Sequence, residues 1–227
     1  MSPNLTRWTE QHALLMTMSI GAVLLEKSPL PVVAMAAGSF LGLIWRSRRN
    51  WTPAQVFGLA NGITLARLLT AMTVLLAVGG NTSLTAALLF GAVCADGLDG
   101  WAARRYNTAS AFGHLFDQET DAFLLLAVCL LLFISGKLGA FILLPGALRY
   151  LFVLFGQVAK PPERNVRGNR FTRATGVTAV LTFTLCLLPL PPALDFWLAV
   201  AVTLALGFSF AYSTWQLYRP APGLTSS

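Results

Sequence analysis

The sequence contains little charge. Only 11% of its residues are charged and 56% are hydrophobic, whereas a soluble domain carries about 25% charged residues. The mean hydropathy is +0.66. This scarcity of charge argues against a soluble all-helical protein with a large buried core, and it favours a chain whose main solvent is lipid.

Cysteine is scarce as well. The three cysteines, Cys94, Cys129 and Cys186, are scattered in apolar runs at spacings that suit no metal site, so we interpret them as small buried apolar residues. A cleavable signal peptide is not predicted either. The first residues are mostly polar, and the first apolar stretch lacks a small-residue cleavage site behind it.

Basic residues outnumber acidic ones, which gives a formal net charge of +7. Such an excess is typical of nucleic-acid-binding proteins and also of cytoplasmic loops in membrane proteins. Here the basic residues lie between apolar runs, as the second explanation requires. Because no aromatic and basic binding surface is visible, we expect the lipid bilayer, and not a nucleic acid, as a partner.

Apolar runs of about 20 residues, enough to cross a bilayer, recur along the chain. They predict an all-α integral membrane protein with a six-transmembrane-helix core preceded by two N-terminal apolar helices. These first two are short for spans and fit a shallow hairpin. The predicted helical segments are 11–26, 29–45, 61–79, 83–106, 110–135, 138–158, 171–189 and 192–218.

Charge predicts the orientation. With Arg46 and its neighbours in the cytoplasm, alternating the segments leaves only Lys27 and Lys137 among the loop cations on the outer side. Both termini then face the cytoplasm, and we expect a bacterial cytoplasmic membrane. Thr52 and Pro53 suit an N-cap and a first-turn proline, which predicts a short interfacial helix over 53–59. The predicted organisation is a two-helix addition over 1–50, a core over 51–219 and a disordered tail over 220–227.

Acidic residues concentrate in one segment. Of the nine in the chain, five lie between Asp96 and Asp121, and such a cluster in a membrane protein indicates a functional site. Asp96 and Asp99 are three residues apart, and Asp117 and Asp121 are four apart, so each pair shares one helix face. A short turn between the two helices folds the pairs towards each other on the cytoplasmic side.

Four carboxylates near lipid repel one another unless cations neutralise them. Oxygen ligands favour Mg²⁺, Mn²⁺ or Ca²⁺, and two such ions about 4 Å apart suit an in-line phosphoryl displacement. Gly100 and Gly113 leave room for a nucleotide against the helix backbones, and Arg104 suits a forked contact with a diphosphate. The spacing alone leaves two alternatives open, an ion or proton transporter and a purely structural charge cluster.

The segment resembles the signature of the CDP-alcohol phosphotransferases, D-x2-D-G-x2-A-R-x8-G-x3-D-x3-D. A second stretch, with Asn61, Thr64 and Arg67, is similar to the N-x-x-T-x-x-R opening of that family's first core helix, although Ala60 stands where the family often has proline. The resemblance covers about 53–218 and leaves 1–50 outside. Every specified signature position is present, namely Asp96, Asp99, Gly100, Ala103, Arg104, Gly113, Asp117 and Asp121.

The resemblance implies a role for each position. Asp96, Asp99 and Asp117 would hold two Mg²⁺ or Mn²⁺ ions, and Asp121 would contact metal and accept the proton of the acceptor hydroxyl. That hydroxyl would attack the phosphorus carrying the lipid group, CMP would leave, and the family is commonly homodimeric. The implied cytidine diphosphate pocket comprises Asn61, Thr64, Gly100, Ala103, Arg104, Ser110 and Gly113.

The substrates follow less directly from the resemblance. The compact length favours a CDP-diacylglycerol donor, because members that use CDP-choline or CDP-ethanolamine are often longer. Arg149, Arg170 and Arg173 are candidates for binding a phosphorylated acceptor such as glycerol 3-phosphate or an inositol phosphate. Positive-inside charge or contact with anionic lipid is the simpler alternative. Ala122 replaces a lysine typical of phosphatidylglycerophosphate synthases, which weakens the glycerol 3-phosphate assignment.

Two further polar residues lie close to the motif. Glu119 is on a different helix face from Asp117 and Asp121, so it either reaches the site from the side or faces another helix. His114 lies roughly 10 Å from Asp121 along the helix axis, which makes it a poor candidate for the catalytic base.

Overall fold

The computed structural model describes residues 3–159 and 170–218, and this part of the chain contains only helices, turns and loops. Residues 160–169, which lie between the predicted segments 138–158 and 171–189, and the predicted tail are outside the described residues. The all-α class is confirmed. The helices are α1 (Pro3–Glu26), α2 (Leu30–Arg46), α3 (Gly58–Leu76), α4 (Thr82–Arg105), α5 (Ala111–Ile134), a short 3-10 helix (Ala140–Ile142), α6 (Leu143–Ala159), α7 (Arg170–Leu185) and α8 (Pro192–Tyr218).

The central helix of the bundle is α5, which packs against α3, α6 and α7. Its second half is buried nearly all round, from Phe123 to Leu132, as expected of a helix that is apolar on every face. Gly146 allows α6 to approach closely, since a Cβ at this position would lie 2.9 Å from the Cα of Leu126. Close helix contact through small residues is typical of membrane bundles.

Among the described residues, four helices are long and apolar enough to cross a membrane: Gly58–Leu76, Thr82–Arg105, Ala140–Gln157 and Pro192–Trp215. Two shorter apolar helices, Leu30–Arg46 and Ala174–Leu185, accompany them. Large apolar side chains on α8, including Trp197, Leu204 and Phe208, are exposed, which suits a surface that faces lipid. These features define an integral membrane protein, and the six-span core remains a prediction.

The N-terminal addition forms a helical hairpin that is docked onto the core. Helix α1 begins at Pro3, earlier than the predicted start at residue 11, and packs against both α2 and α6. Within the hairpin, the indole Nε1 of Trp8 donates a hydrogen bond to the carbonyl oxygen of Ser39 at 3.0 Å. Residues 3–46 therefore have a fixed position against α6.

The predicted interfacial helix over 53–59 is wrong. Residues 51–57 form turns and bends, and α3 begins at Gly58. The hydroxyl of Thr52 donates to the carbonyl oxygen of Val56 at 2.7 Å and so closes a tight turn instead of capping a helix. Gln55 and Gly58 then adopt left-handed φ values of 59° and 76°, which a continuous right-handed helix excludes.

Candidate active site

The end of α4 and the beginning of α5 carry the carboxylates, and both helices pack on α3. The turn between them contains Asn107, at a left-handed φ of 52°. It ends at Ser110, whose Oγ accepts a hydrogen bond from the backbone N–H of Gly113 at 2.9 Å and caps α5. The turn reverses the chain direction, so the carboxylate pair of α4 faces the pair of α5, as predicted from their spacing.

Arg67 of α3 lies between the two pairs. Its Nη1 donates to Asp99 at 2.7 Å and to Asp117 at 2.9 Å, while its Nη2 lies 3.2 Å from Asp96 and contacts Asp121. Its Nε donates to the carbonyl oxygen of Ala92 at 3.0 Å, and the side chain is 2% exposed. The planar guanidinium thus contacts all four carboxylates at once, which a lysine ammonium does not match.

The sequence interpretation had given Arg67 no role in the site. Two signals pointed to it: its position at the end of the N-x-x-T-x-x-R stretch and its location in an apolar helix. An intramembrane arginine needs a partner, and a carboxylate cluster is the obvious one. Neither signal showed that a single guanidinium would face all four carboxylates.

The four carboxylates differ in how far they are exposed. The side chains of Asp99 and Asp96 are 5% and 15% exposed, whereas those of Asp117 and Asp121 are 31% and 47% exposed. The two carboxylates of α4 are thus more buried than the two of α5, and Asp121 is the most exposed of the four.

The residues present fit a divalent cation. Asp96, Asp99 and Asp117 each offer one carboxylate oxygen, and these atoms all lie within 4.8 Å of one another. Carboxylate oxygens are the ligands that Mg²⁺ and Mn²⁺ prefer. One arginine against four carboxylates also leaves an excess of negative charge in a partly buried site, which a cation offsets. The three aspartates support one ion directly, while a second ion that also uses Asp121 remains a prediction.

Three of the residues predicted to bind nucleotide hold the site's framework together. The Oγ1 of Thr64 lies 3.2 Å from a carboxylate oxygen of Asp99, to which it donates. The amide of Asn61 donates to the carbonyl oxygens of Phe57 at 2.6 Å and Trp51 at 3.3 Å. Ser110 donates to the same Trp51 carbonyl at 2.7 Å. The bonds of Asn61 and Ser110 fix the 51–57 segment against the starts of α3 and α5.

The two motif glycines have different surroundings. A Cβ at Gly113 would lie 2.9 Å from the Oδ1 of Asn61, so this glycine allows α3 and α5 to approach, a role that the sequence interpretation did not foresee. A Cβ at Gly100 would lie 3.5 Å from the Nη1 of Arg104, whose exposed side chain lies alongside it. Ala103 is half-buried in the same helix. Nucleotide contacts at these positions remain predictions.

Among the predicted acceptor residues, Arg149 is described, and it pairs with Glu119 and not with the carboxylate cluster. The Nη2 of Arg149 donates to the Oε1 of Glu119 at 2.6 Å, on the side of α5 that faces α6. This contact settles the direction of Glu119, which faces another helix. The side chains of Arg170 and Arg173 lie outside the described residues, and His114 is exposed. Acceptor binding by the three arginines remains a prediction.

Fold and site together define an integral membrane protein with an arginine-linked carboxylate cluster at one end of its helices. The family model of CDP-alcohol phosphatidyltransferases matches residues 57–207, which is more than half of the chain. The protein therefore belongs to the CDP-alcohol phosphatidyltransferase family, as the signature predicted.

Two curated relatives from Arabidopsis thaliana match a shorter stretch. CDP-diacylglycerol–inositol 3-phosphatidyltransferase 1 is 42% identical over 55 residues, and the probable CDP-diacylglycerol–inositol 3-phosphatidyltransferase 2 is 40% identical over 55 residues. The match covers 24% of this chain and 23% or 24% of the relatives' lengths. No solved structure matches the chain.

Proposed function

We propose that the protein transfers a phosphatidyl group from CDP-diacylglycerol to the hydroxyl of a small alcohol, with release of CMP, in phospholipid biosynthesis. The observation that carries this proposal is the convergence of the four signature carboxylates on Arg67 in a chain of this family. The acceptor oxygen forms a bond to the phosphorus that carries diacylglycerol. The bond from that phosphorus to the CMP oxygen breaks, and CMP leaves with the electron pair.

Asp121 is the proposed base. It is the most exposed of the four carboxylates, so its free oxygen can meet an acceptor hydroxyl while the other contacts Arg67. The proton of that hydroxyl passes to the carboxylate as the new phosphorus–oxygen bond forms. Arg67 limits the motion of Asp121 and holds it beside the other three carboxylates.

Asp96, Asp99 and Asp117 are the proposed metal ligands, with Asp121 shared by a second ion. Bound Mg²⁺ or Mn²⁺ supplies positive charge to the diphosphate and stabilises the charge that develops on its oxygens. Thr64 donates to Asp99 and so fixes the orientation of that carboxylate.

Arg104 and the start of α5 are proposed to hold the cytidine diphosphate. Arg104 is exposed beside Gly100, so its forked donors are free to meet phosphate oxygens. Asn61, Ser110 and Gly113 border the same end of the bundle, where Asn61 and Ser110 both donate to the carbonyl oxygen of Trp51 and so keep the starts of α3 and α5 together.

Inositol, or an inositol phosphate, is the acceptor we place first. Both curated relatives are inositol phosphatidyltransferases by name, and their similarity to this chain extends over 55 residues. Ala122, in place of the lysine typical of phosphatidylglycerophosphate synthases, argues in the same direction. A phosphorylated acceptor would still call for a cationic contact, for which we propose Arg170 and Arg173, since Arg149 pairs with Glu119.

The direct test is CMP release from CDP-diacylglycerol by the purified protein in detergent with Mg²⁺ or Mn²⁺. The acceptor panel comprises inositol, inositol phosphate, glycerol 3-phosphate, serine and phosphatidylglycerol. We expect release that depends on the acceptor and disappears with EDTA. The control is Asp195→Asn, which changes an aspartate paired with Lys137 outside the candidate site and should leave release intact.

Other results would redirect the proposal. Transfer from CDP-choline or CDP-ethanolamine alone would keep the reaction class and change the donor. No release from any CDP-linked donor, together with metal flux in proteoliposomes, would favour the transporter alternative. We also propose that the protein forms a homodimer and that its site faces the cytoplasm.

A further inference from the structure

A second charged pair lies on the opposite side of α5 from Asp117 and Asp121. Glu119 is two residues from Asp117 and two from Asp121, and two residues correspond to about 200° around a helix. Its side chain is 1% exposed and pairs with Arg149 of α6 at 2.6 Å. Helix α5 thus carries carboxylates on two faces, one set bound to α3 through Arg67 and one bound to α6.

The N-terminal addition lies over the Glu119 end of this pair, while the Arg149 side chain is 24% exposed. The ring of His12 on α1 stacks on Trp8 at 4.7 Å and meets the ring of Tyr150 edge-on at 5.7 Å. Its Nδ1 lies 2.8 Å from the Oγ of Ser39 on α2. His12, Glu119 and Tyr150 are all 0% exposed. The hairpin of α1 and α2 is therefore one wall of the buried compartment that holds Glu119.

Packing α5 against α6 through this pair costs free energy of folding. In the described part of the chain, no hydrogen-bond partner is present for Oε2 of Glu119, Nε of Arg149, Oη of Tyr150 or Nε2 of His12. Buried polar atoms without partners destabilise a fold, and apolar residues of the same volume are often as stable as a buried ion pair or more so. A gain in stability is therefore a weak explanation for this pair. A requirement for one defined orientation of α5 against α6 explains it better.

We propose that the Glu119–Arg149 pair is a positioning device that fixes the rotation of α5, and that the N-terminal hairpin belongs to this device by keeping water from Glu119. The inference rests on the proposed function of the carboxylates on the other face. Side-chain atoms lie about 5–6 Å from a helix axis, so a rotation of only about 10° moves them by about 1 Å. A displacement of that size costs about 100-fold in rate at a well-oriented site.

Glu119→Gln and Arg149→Gln test the proposal, alone and combined. We expect each single variant to lower kcat for CMP release at least about tenfold and to weaken Mn²⁺ binding, with the donor KM close to that of the wild type. Because the two residues act as a pair, the double variant should lose no more than the worse single variant. Should Glu119→Gln fail to fold, Glu119→Asp keeps the charge on a shorter side chain and carries the same test.

Lys137 and Asp195 provide the matched control. They form another partly buried ion pair, at 3.2 Å, with the Asp195 side chain 4% exposed. Asp195→Asn should lower the melting temperature while kcat and Mn²⁺ affinity stay within about twofold of the wild type. A loss of activity that merely followed stability would affect both pairs equally and would overturn the proposal.

His12→Ala tests the part assigned to the hairpin. Without the ring, water reaches Glu119 as well as Arg149, and the coupling between the two residues should fall towards the small value of an exposed pair. The coupling is measured by repeating the two single variants and the double variant in this background. An unchanged coupling would remove α1 from the device.

The alternative role of Arg149, contact with the acceptor, gives a different pattern. In that case Arg149→Gln would raise the acceptor KM at unchanged kcat and Glu119→Gln would not, which would overturn the positioning role. Failure of the proposed function is distinguishable from both. If the wild type releases no CMP, the proposed function fails, and the positioning role is then tested by Mn²⁺ affinity alone. Equal Mn²⁺ affinity in the wild type and in Glu119→Gln would contradict the positioning role.

Discussion

Arg67 is the residue on which the charge balance of the site depends. One guanidinium faces four carboxylates and also donates to the backbone of α4 through the Ala92 carbonyl. It therefore links α3 to both α4 and α5, and Thr64 adds a second bond from α3 to Asp99. Removing it leaves the carboxylates facing one another across a partly buried space, where like charges repel strongly.

We predict that Arg67→Gln destabilises the protein in EDTA by about 3–5 kcal/mol, the usual cost of removing one partner from a buried ion pair. Added Mn²⁺ should restore more of the melting temperature in this variant than in the wild type, since the cation takes over the neutralisation. Thermal unfolding with and without Mn²⁺ measures both effects. Arg105→Gln, an exposed change on α4, is the control, and equal stability of the two variants in EDTA would contradict the prediction.

Asp121 is predicted to be the base, so its loss should affect turnover more than folding. Asp121→Asn keeps the shape of the side chain, and almost half of that side chain is exposed. We expect the melting temperature to stay close to the wild-type value while CMP release falls about 100-fold or more, as removal of a general base requires. Substantial turnover in a well-folded Asp121→Asn protein would exclude the carboxylate as the base.

At the scale of elements, α5 organises the molecule because three other helices pack on it. Its boundaries were predicted within one residue, 110–135 against Ala111–Ile134, and those of α4 equally well, 83–106 against Thr82–Arg105. Both helices begin after a side chain that caps the first turn, Asn81 or Ser110. Such caps are local signals, which can be recognised from a few neighbouring residues in the sequence.

Other boundaries depended on signals that are not local. Helix α3 runs from Gly58 to Leu76, three residues earlier at each end than the predicted 61–79. Its start is set by the turn that Thr52 closes and by the left-handed Gly58. Helix α7 ends at Leu185, although the apolar run continues to residue 189. Hydropathy measures the length of an apolar run and does not show where its backbone leaves the helix.

The contact between α5 and α6 provides a prediction at this scale. A Cβ at Gly146 would lie 2.9 Å from the Cα of Leu126, which is backbone and cannot rotate away. We expect Gly146→Ala to cost about 1–3 kcal/mol by forcing the two helices apart. Gly156→Ala on the same helix is the control, since nothing lies within 4 Å of its Cβ position. Equal melting temperatures for the two variants in detergent would argue against close packing at Gly146.

At the scale of the whole molecule, the polar chemistry lies at one end of the bundle. The carboxylates, the 51–57 segment and the turn between α4 and α5 lie together, and the turn between α3 and α4 lies at the far end of those helices. The arginines near residue 46 follow α2 at the end of the bundle that carries the site. The positive-inside bias therefore predicts that this end faces the cytoplasm.

Cysteine labelling tests that orientation. Asn50 and Ser83 are both exposed; Asn50 precedes α3 on the side of the carboxylates, and Ser83 lies in the first turn of α4, at the other end of the bundle. In a Cys94→Ala background, where the remaining cysteines are buried, Ser83→Cys should react with an impermeant maleimide in intact cells. Asn50→Cys should react only after the membrane is opened. The reverse pattern would place the carboxylates on the outer side.

The sequence by itself determined the membrane class, the family and the four carboxylates. Hydropathy, cap residues and the spacing of the aspartates are properties of short segments, so they can be interpreted without knowledge of the fold. The tertiary structure decided what those carboxylates contact. Arg67 reaches them from α3, and Glu119 turns to Arg149 on α6, because helix packing brings together residues that are 29 to 54 positions apart in the chain (from Arg67 to Asp96 at the nearest and to Asp121 at the farthest). Such contacts depend on how helices rotate against one another, which no local pattern encodes.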